Sequence, residues 1–199
     1  MAKSPLHSSN NDLTVGASNP GLSRRKFLGT LAAGIAGSLL LSPEEVYAKA
    51  FGERRQLSFL NLHTNEQFKV VCCPDRRPDA TTLHRFNEFL RDHRTDQIHT
   101  MDAGLLDILT AVTALTNSRG TVQVVCGYRS PETNAFLHQR GVGVAENSLH
   151  MVGKAIDIRL SDVSSKMIQR AGIALQRGGV GYYRQSDFVH LDTGRFRTW

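Results

Sequence analysis

Three residues that can bind a metal ion lie close together near the end of the sequence. His150 and Asp157 are seven positions apart in HMVGKAID, and His190 follows in DFVHLD. Two imidazole nitrogens and one carboxylate, with a fourth position open to water, form the ligand set of catalytic zinc sites. A structural zinc site would normally add a fourth protein ligand. The residue types therefore predict a catalytic Zn²⁺ site.

Two strands must bring these three residues together. In GKAIDIRL (153–160) the isoleucines alternate with polar residues, so Asp157 points away from the apolar face. In DFVHLDT (187–193) His190 and Asp192 share the face opposite the apolar residues. The connections between the last strands are too short for crossover helices, so we expect antiparallel pairing. The carboxylate and the imidazole then project from one side of a sheet.

The rest of the sequence predicts alternating strands and helices. We expect an α+β fold in which helices flank a small antiparallel sheet. A hairpin is predicted over residues 55–72 and a strand over 121–129. Amphipathic or capped segments predict helices over 81–94, 102–117, 130–141 and 161–179.

The first 48 residues have the composition of an export signal. Residues 1–22 are rich in Ser, Asn and Gly, which is typical of disorder. SRRKFLGTLAAGIAGSLLL (23–41) places Arg24 and Arg25 before an apolar stretch, and VYA (46–48) offers a cleavage site. The segment resembles a twin-arginine signal, which implies the twin-arginine translocase as a partner and a periplasmic location. The alternative is an uncleaved membrane anchor. We predict a signal over 1–48 and a folded domain over 49–199, with no stable membrane insertion after cleavage.

Charge and cysteine content exclude few functions. The net charge is +6, and removing residues 1–48 takes away four basic and three acidic residues, which leaves about +5. A periplasmic protein has no nucleic-acid partner, so this charge indicates either an anionic envelope surface or ordinary solvation. The three cysteines, Cys72, Cys73 and Cys126, form no CxxC pattern, and we assign them no ligand role. One disulfide to Cys126 or three free thiols are both compatible with the sequence.

The metal-binding residues stand within a longer resemblance to a known family. SLHMVGKAIDI followed by DFVHLDTG resembles the M15-type zinc peptidases, which include D-Ala-D-Ala carboxypeptidases, VanX-type dipeptidases and phage endolysin peptidases. The matching residues are Ser148, His150, Gly153, Asp157 and His190. NLHT, GYRS and GGVGYY extend the resemblance to DUF882, the YcbK-like (MepK-type) murein endopeptidases, over residues 55–199. The resemblance implies the zinc D-Ala-D-Ala carboxypeptidase-like (hedgehog/DD-peptidase) fold.

The resemblance also implies roles for residues outside the metal triad. These peptidases often carry a glutamate three residues before the second histidine, and Asp187 stands there. We expect Asp187 to be the general base and keep Asp192, which shares a face with His190, as the alternative base. An orienting or turn role for Asp192 is also open. Arg129, in CGYRS, would hold a substrate carboxylate or stabilise the oxyanion.

The expected function is zinc-dependent hydrolysis of peptidoglycan. By resemblance, the chain cleaves cross-links between stem peptides as an endopeptidase. The alternative enzyme is a D,D- or L,D-carboxypeptidase that trims stem peptides. A non-catalytic zinc-containing module that binds peptidoglycan is the alternative from another class of protein, because Asp187 is shorter than the usual glutamate.

Overall fold

The structure is a computed structural model that describes residues 42–52, 54–73, 76–140 and 144–199. The twin arginine, the apolar stretch and Gly141, the predicted end of one helix, lie outside the described residues. In the part of the chain that is described, no helix is both long enough and apolar enough to cross a membrane.

Helices and strands alternate irregularly along the described chain. The helices are α1 (Pro43–Phe51), α2 (Ala80–Phe89), α3 (Gly104–Leu115), α4 (Pro131–Gln139) and α5 (Ser165–Leu175). The strands are β1 (Arg55–Asn61), β2 (Gln67–Cys72), β3 (Val122–Cys126), β4 (Ala155–Leu160), β5 (Gly179–Tyr183), β6 (Phe188–Asp192) and β7 (Arg197–Thr198). A short 3₁₀ helix, Leu149–Val152, precedes β4.

The strands form one sheet in the order β2-β1-β3-β4-β6-β5-β7. The α+β class predicted from the sequence is confirmed. The sheet is larger than the small antiparallel one expected, and it is mixed, because β1 pairs parallel with β3 and β5 pairs parallel with β7. The expectation rested on the short loops between the last strands, and those strands do pair antiparallel. Each parallel pair joins two strands that are not consecutive in the sequence, and local patterns do not reveal such pairing.

The register of the sheet places two of the predicted metal ligands on neighbouring strands. Asp157 on β4 is the direct partner of His190 on β6, and His190 is the partner of Gly181 on β5. On the other side of β4, Asp157 pairs with Cys126 at the end of β3. Directly opposed residues on neighbouring strands point to the same face. One row across the sheet therefore carries Cys126, Asp157, His190 and Gly181.

The opposite face of the sheet is covered by helices and forms the core. Helix α5 packs on β4, β5 and β6, and α3 packs between α1 and α5. Ile156 and Ile158 on β4 and Val189 and Leu191 on β6 are each at most 1 per cent exposed. This alternation buries the apolar residues on one face and leaves Asp157 and His190 on the other, as the sequence pattern predicted.

Polar side chains lie at or just before the starts of three helices. The Asp102 carboxylate accepts from the N–H of Gly104 (2.9 Å), the first residue of α3, and from the hydroxyl of Thr193 (2.7 Å), so it ties α3 to the segment after β6. Ser164 occupies the N-cap of α5, and the Ser161 hydroxyl accepts from the Thr121 N–H at 2.9 Å. Ser130 caps α4, accepting from the N–H of Thr133.

Helix α1 contains the expected cleavage site after Ala48. Ser42 caps it with a reciprocal capping box, and Val46 is buried to 3 per cent exposure in the common core. The guanidinium of Arg177 lies 4.3 Å from the ring centroid of Tyr47. Residues on both sides of the expected cleavage point therefore stabilise the fold.

Removal of residues 42–48 should lower the stability of the domain. We expect a chain starting at Lys49 to unfold about 1–3 kcal/mol more easily than one starting at Ser42, because Val46 and Tyr47 leave the core. Chemical denaturation of the two chains, both zinc-loaded, measures the difference. Equal stabilities would show that α1 contributes nothing to the fold. Substituting the exposed Glu44, which faces solvent on the same helix, should have no comparable effect.

Candidate metal centre and active site

The loop before β4 holds His150 in a defined position. The Ser148 hydroxyl accepts from the main-chain N–H of His150 (3.3 Å) and caps the 3₁₀ helix that carries it. Gly153 ends this helix with φ of +66°. A side chain at Gly153 would collide with the carbonyl oxygen of Thr100. The Ser-x-His and Gly elements of the sequence pattern are thus required by local geometry.

The three predicted metal ligands converge on one point. The Nε2 atom of His150 lies 3.2 Å from Oδ1 of Asp157 and 3.1 Å from Nδ1 of His190. The third side of the triangle, from His190 Nδ1 to Asp157 Oδ1, is 2.9 Å. Ligand atoms about 2.0–2.1 Å from a tetrahedral Zn²⁺ stand about 3.3 Å apart. The three donor atoms fit one such ion with only small outward shifts.

Each histidine has its second ring nitrogen engaged by an acceptor. Nδ1 of His150 lies 2.7 Å from the carbonyl oxygen of Gly127, and Nε2 of His190 lies 3.0 Å from Oδ2 of Asp192. A carbonyl oxygen can only accept, so His150 carries a proton on Nδ1 and keeps Nε2 free for a metal. The same reasoning places a proton on Nε2 of His190 when Asp192 is ionised. Such contacts orient imidazoles around metal ions.

Asp157 is ionised in this environment. Burial alone would raise the pKa of its carboxyl, but His150 and His190 hold that pKa well below its ordinary range. Only 5 per cent of the residue is exposed. A buried carboxylate between two imidazoles is a strong site for a divalent cation.

Asp192 is fully occupied by hydrogen bonds. Its Oδ1 accepts from the N–H groups of Gly179 (2.9 Å) and Gly194 (2.8 Å), and Arg197 contacts both carboxylate oxygens. Burial alone would raise the pKa of Asp192, but His190, Arg197 and these N–H groups hold it well below the ordinary range. This arrangement favours an orienting role for Asp192 over that of a proton acceptor.

Arg129 lies beside the metal-binding carboxylate. Its Nη2 is 3.9 Å from Oδ2 of Asp157, and its Nη1 donates to Oδ1 of Asn134 at 3.3 Å. The side chain is almost fully buried, and its Nε–H has no acceptor among the residues that the structure describes. A buried donor without a partner is costly unless a ligand supplies one. Arg129 is therefore placed to receive an anionic group at the metal centre.

A cavity of about 320 Å³ opens above this centre. Its floor contains His150, Asp157 and His190, and part of its lining is basic: His63, His93, Arg94 and Arg129. The rings of His63 and His93 stack at 3.8 Å. Another part of the lining is aromatic and consists of Tyr183, Phe188 and Trp199. Among the described residues that line the cavity, only Asp157 has a carboxylate side chain.

The comparisons with known proteins identify the family of this chain. A family model described as peptidoglycan L,D-endopeptidase MepK matches residues 49–199. The chain belongs to this peptidase family. It is 38% identical to the peptidoglycan L,D-endopeptidase MepK of Escherichia coli K12 over 177 residues, which cover 88% of this chain and 96% of the relative. It is 36% identical to the probable peptidoglycan L,D-endopeptidase MepK of Haemophilus influenzae over 178 residues, covering 88% and 95%.

Family membership does not test whether Asp187 is the general base, and this role stays a prediction. Asp187 lies in the β5–β6 turn with φ of +49°, and its carbonyl oxygen accepts from Nε of Arg159 at 2.8 Å. The residue is exposed and does not line the cavity, although its neighbours Ser186 and Phe188 do. Its carboxylate reaches the metal centre only if the turn rotates.

Several residues at the centre were not identified from the sequence. All three cysteines are free thiols, and the Cys126 sulfur lies close to the donor atoms of His150 and Asp157, all within 4.8 Å of one another. Burial alone would raise the pKa of the Cys126 thiol, but His150 and Arg129 lower it. Its position follows from the pairing of β3 with β4. The sequence signal, a cysteine at the end of a strand before GYRS, is too weak to predict this contact.

His63 and His93 line the cavity but are not among the three donors that converge at its floor. Burial is the main reason that the pKa of His93 falls to about 4, and the charges of His63 and Arg94 lower it further. His93 is therefore neutral at pH 7.

Replacing Asp192 by asparagine should weaken metal binding. We expect a 10- to 100-fold loss of zinc affinity, about the range found for residues that orient metal-bound histidines, because the amide no longer holds the His190 tautomer. Competition with a chromogenic chelator measures the affinity. Asp162→Asn, an exposed carboxylate that binds the segment before β3, is the matched control. Unchanged affinity in Asp192→Asn would remove the orienting role.

Asp92 fixes the segment that carries Arg129. The residue is 1 per cent exposed, and its carboxylate accepts from the N–H groups of Ser130 (2.8 Å) and Arg94 (2.9 Å). Burial alone would raise the pKa of Asp92, but bonds from Thr133, Arg94 and Ser130 lower it to about 2. The ionised carboxylate therefore stabilises the native state.

The contribution of Asp92 should depend on pH. Because the folded pKa lies below the unfolded value of about 3.9, the stabilisation is full above pH 4 and disappears as the pH falls through 2. We expect Asp92→Asn to cost about 2 kcal/mol at pH 7 and much less near pH 2. Denaturation curves of the wild-type and Asp92→Asn proteins between pH 7 and about pH 2 measure this difference in the free energy of unfolding. Asp96→Asn, at an exposed ion pair, is the control, and a pH-independent cost for Asp92→Asn would contradict the assignment.

Proposed function

We propose that the chain is a zinc-dependent endopeptidase that hydrolyses the cross-links between stem peptides of peptidoglycan. The observation that carries this proposal is the triangle of His150, Asp157 and His190 at the floor of a cavity, beside a buried arginine with a free donor. The relatives are named as peptidoglycan L,D-endopeptidases, and this supports the same substrate and an L,D bond for this chain.

The donor set suits a catalytic ion, because only three protein ligands are assigned to it. His150, Asp157 and His190 would hold the zinc ion, which would lower the pKa of a bound water and polarise the scissile carbonyl. Because their other ring nitrogens contact Asp192 and Gly127, Nδ1 of His190 and Nε2 of His150 are the nitrogens left to bind the ion. The chain thus prepares the centre before substrate arrives.

Two residues are proposed to act on the substrate. Arg129 presents its unpartnered Nε–H and its charge to an anionic oxygen, either the developing oxyanion or a substrate carboxylate. Asp187 is the proposed general base, which takes the proton of the attacking water after rotation of the β5–β6 turn and transfers it to the leaving amine. Asp187→Asn should then lower kcat while zinc remains bound.

One observation favours a second candidate, a non-catalytic peptidoglycan-binding module. Among the described residues of the cavity lining, no side chain besides that of Asp157 is a carboxylate. Such a module would bind zinc and peptidoglycan but release no fragments. A D,D- or L,D-carboxypeptidase remains the alternative enzyme.

The test uses two purified muropeptide dimers that differ only in their cross-link, one L,D and one D,D. Zinc-loaded protein is incubated with each, and the product masses are followed, with a chelator and His150→Ala as controls. Conversion of the L,D dimer to monomers, only with metal and His150, is the expected result. Loss of a terminal residue alone would indicate the carboxypeptidase. Binding to whole peptidoglycan without any product would indicate the binding module.

The location of the protein is proposed from the same substrate. Peptidoglycan lies in the cell envelope, and we propose export by the twin-arginine translocase, with cleavage after Ala48 and release of residues 49–199 into the periplasm. Replacing Arg24 and Arg25 by lysine should stop export. Unchanged appearance of the protein in the periplasmic fraction would exclude this route.

A further inference from the structure

We propose that Trp199, together with Tyr183 and Phe188, forms an apolar binding wall that holds the aliphatic part of the substrate beside the scissile bond and selects for it. This aromatic wall rests on the proposed function, since it assigns a subsite to the same cavity.

Main-chain hydrogen bonds fix Trp199 against the sheet. Its N–H donates to the carbonyl of Val180 (3.3 Å), and its carbonyl accepts from the N–H of Tyr182 (3.1 Å). Strand β7, which precedes it, pairs with the start of β5. Trp199 therefore continues the sheet beyond β5 and has a defined place beside the active-site strands.

The indole ring lies over Gly181, in the row that carries the metal ligands. A Cβ atom at Gly181 would overlap the ring, so the ring is in contact with the β5 backbone at this point. The indole N–H donates to the hydroxyl of Tyr183 (3.2 Å), and the ring centroid is 5.2 Å from that of His190. The Arg197 guanidinium lies 5.0 Å from the Trp199 ring and also binds Asp192. The ring position is thus coupled to that of a metal ligand.

Trp199 remains accessible to a ligand. Trp199 is 48 per cent exposed although glycine, tyrosine and arginine contact it. Tyr183 and Phe188 continue the wall, stacked at 4.5 Å between ring centroids. Rigid aromatic side chains around a few polar groups are typical of ligand pockets.

The remaining lining tells which kind of ligand fits. The basic part, with Arg94 and Arg129, attracts carboxylates, and the aromatic wall accepts methyl and methylene groups. A peptide built of alanine and a diamino acid with a methylene chain and a free carboxylate carries both features. The geometry assigns its aliphatic part to the aromatic wall and its carboxylates to the basic part of the cavity.

The test separates binding from catalysis. With zinc-loaded protein and the L,D-linked muropeptide dimer, Trp199→Ala should raise KM about tenfold and leave kcat within about threefold and zinc near one equivalent. Trp199→Phe should restore most of the affinity. Phe196→Ala, an aromatic residue that is 43 per cent exposed and does not line the cavity, is the matched control.

A second variant moves the ring without removing it. Gly181→Ala adds a methyl group that displaces the indole, so KM should rise while Trp199 is still present. Trp199 is the single tryptophan of the sequence, so its emission reports directly on this displacement. An unchanged KM in Trp199→Ala, or a loss of zinc in that variant, would overturn the proposal.

Trp199 emission also tests the aromatic wall without any need for catalysis. If the wild-type protein cleaves no dimer, the proposed function fails, but titration of that muropeptide still tests the wall. A saturable change in Trp199 emission would support the aromatic wall. A flat titration in the wild-type protein would overturn it.

Discussion

Replacing His150 by alanine should remove both the metal ion and the activity. Two donors, Asp157 and His190, remain, and a catalytic zinc site needs three. We expect the zinc content of the variant to fall from about one equivalent to nearly none, and cleavage of the muropeptide dimer to fall by roughly 10⁴-fold or more. Atomic absorption and product masses measure the two effects.

A histidine elsewhere on the protein provides the control for this variant. The His84 side chain is 70 per cent exposed and pairs with Glu88 on the same helix, so His84→Ala should keep zinc and activity. Circular dichroism would show that His150→Ala is folded. A folded His150→Ala protein that retains one zinc and cleaves the dimer would contradict the assignment of the centre.

Replacing Arg129 by alanine should have the second largest effect. We expect kcat/KM to fall by about 10²–10³-fold with zinc still bound, the range found when one donor to an oxyanion is removed. Lysine should not restore the activity, because its single ammonium group cannot reproduce the planar guanidinium that contacts Asn134 and Cys126. Arg170→Ala, an exposed arginine on α5, is the control.

The kinetic constants of Arg129→Ala show which anionic group of the substrate Arg129 binds. A fall in kcat at constant KM places the oxyanion at Arg129, whereas a rise in KM places a substrate carboxylate there. Wild-type values of both constants in a folded Arg129→Ala protein would remove the residue from the mechanism.

Much of the centre could be predicted because its residues lie on strands with regular alternation. A period of two placed Asp157 and His190 on one face, and the structure pairs them directly. The same alternation placed Asp192 beside His190. The alternation could not show that the Asp192 carboxylate accepts hydrogen bonds from Arg197, Gly179 and Gly194. Those contacts depend on how the last strands fold back.

The residues that were missed reach the cavity through long-range pairing. Cys126 arrives through the pairing of β3 with β4, and His63 through the parallel pairing of β1 with β3. Trp199 arrives because β7 adds to the edge of β5. Local periodicity indicates that strands exist but not their order, so neither the mixed sheet nor this part of the lining could be predicted.

The immediate surroundings of the ion test the assignment most directly. X-ray absorption at the zinc edge of the loaded protein should show two imidazole nitrogens and oxygen ligands about 2.0–2.1 Å from the metal. No sulfur should appear near 2.3 Å, because the proposed centre uses His150, Asp157 and His190 as ligands and not the nearby sulfur of Cys126. A sulfur ligand at that distance, or fewer than two imidazoles, would contradict a centre built from His150, Asp157 and His190.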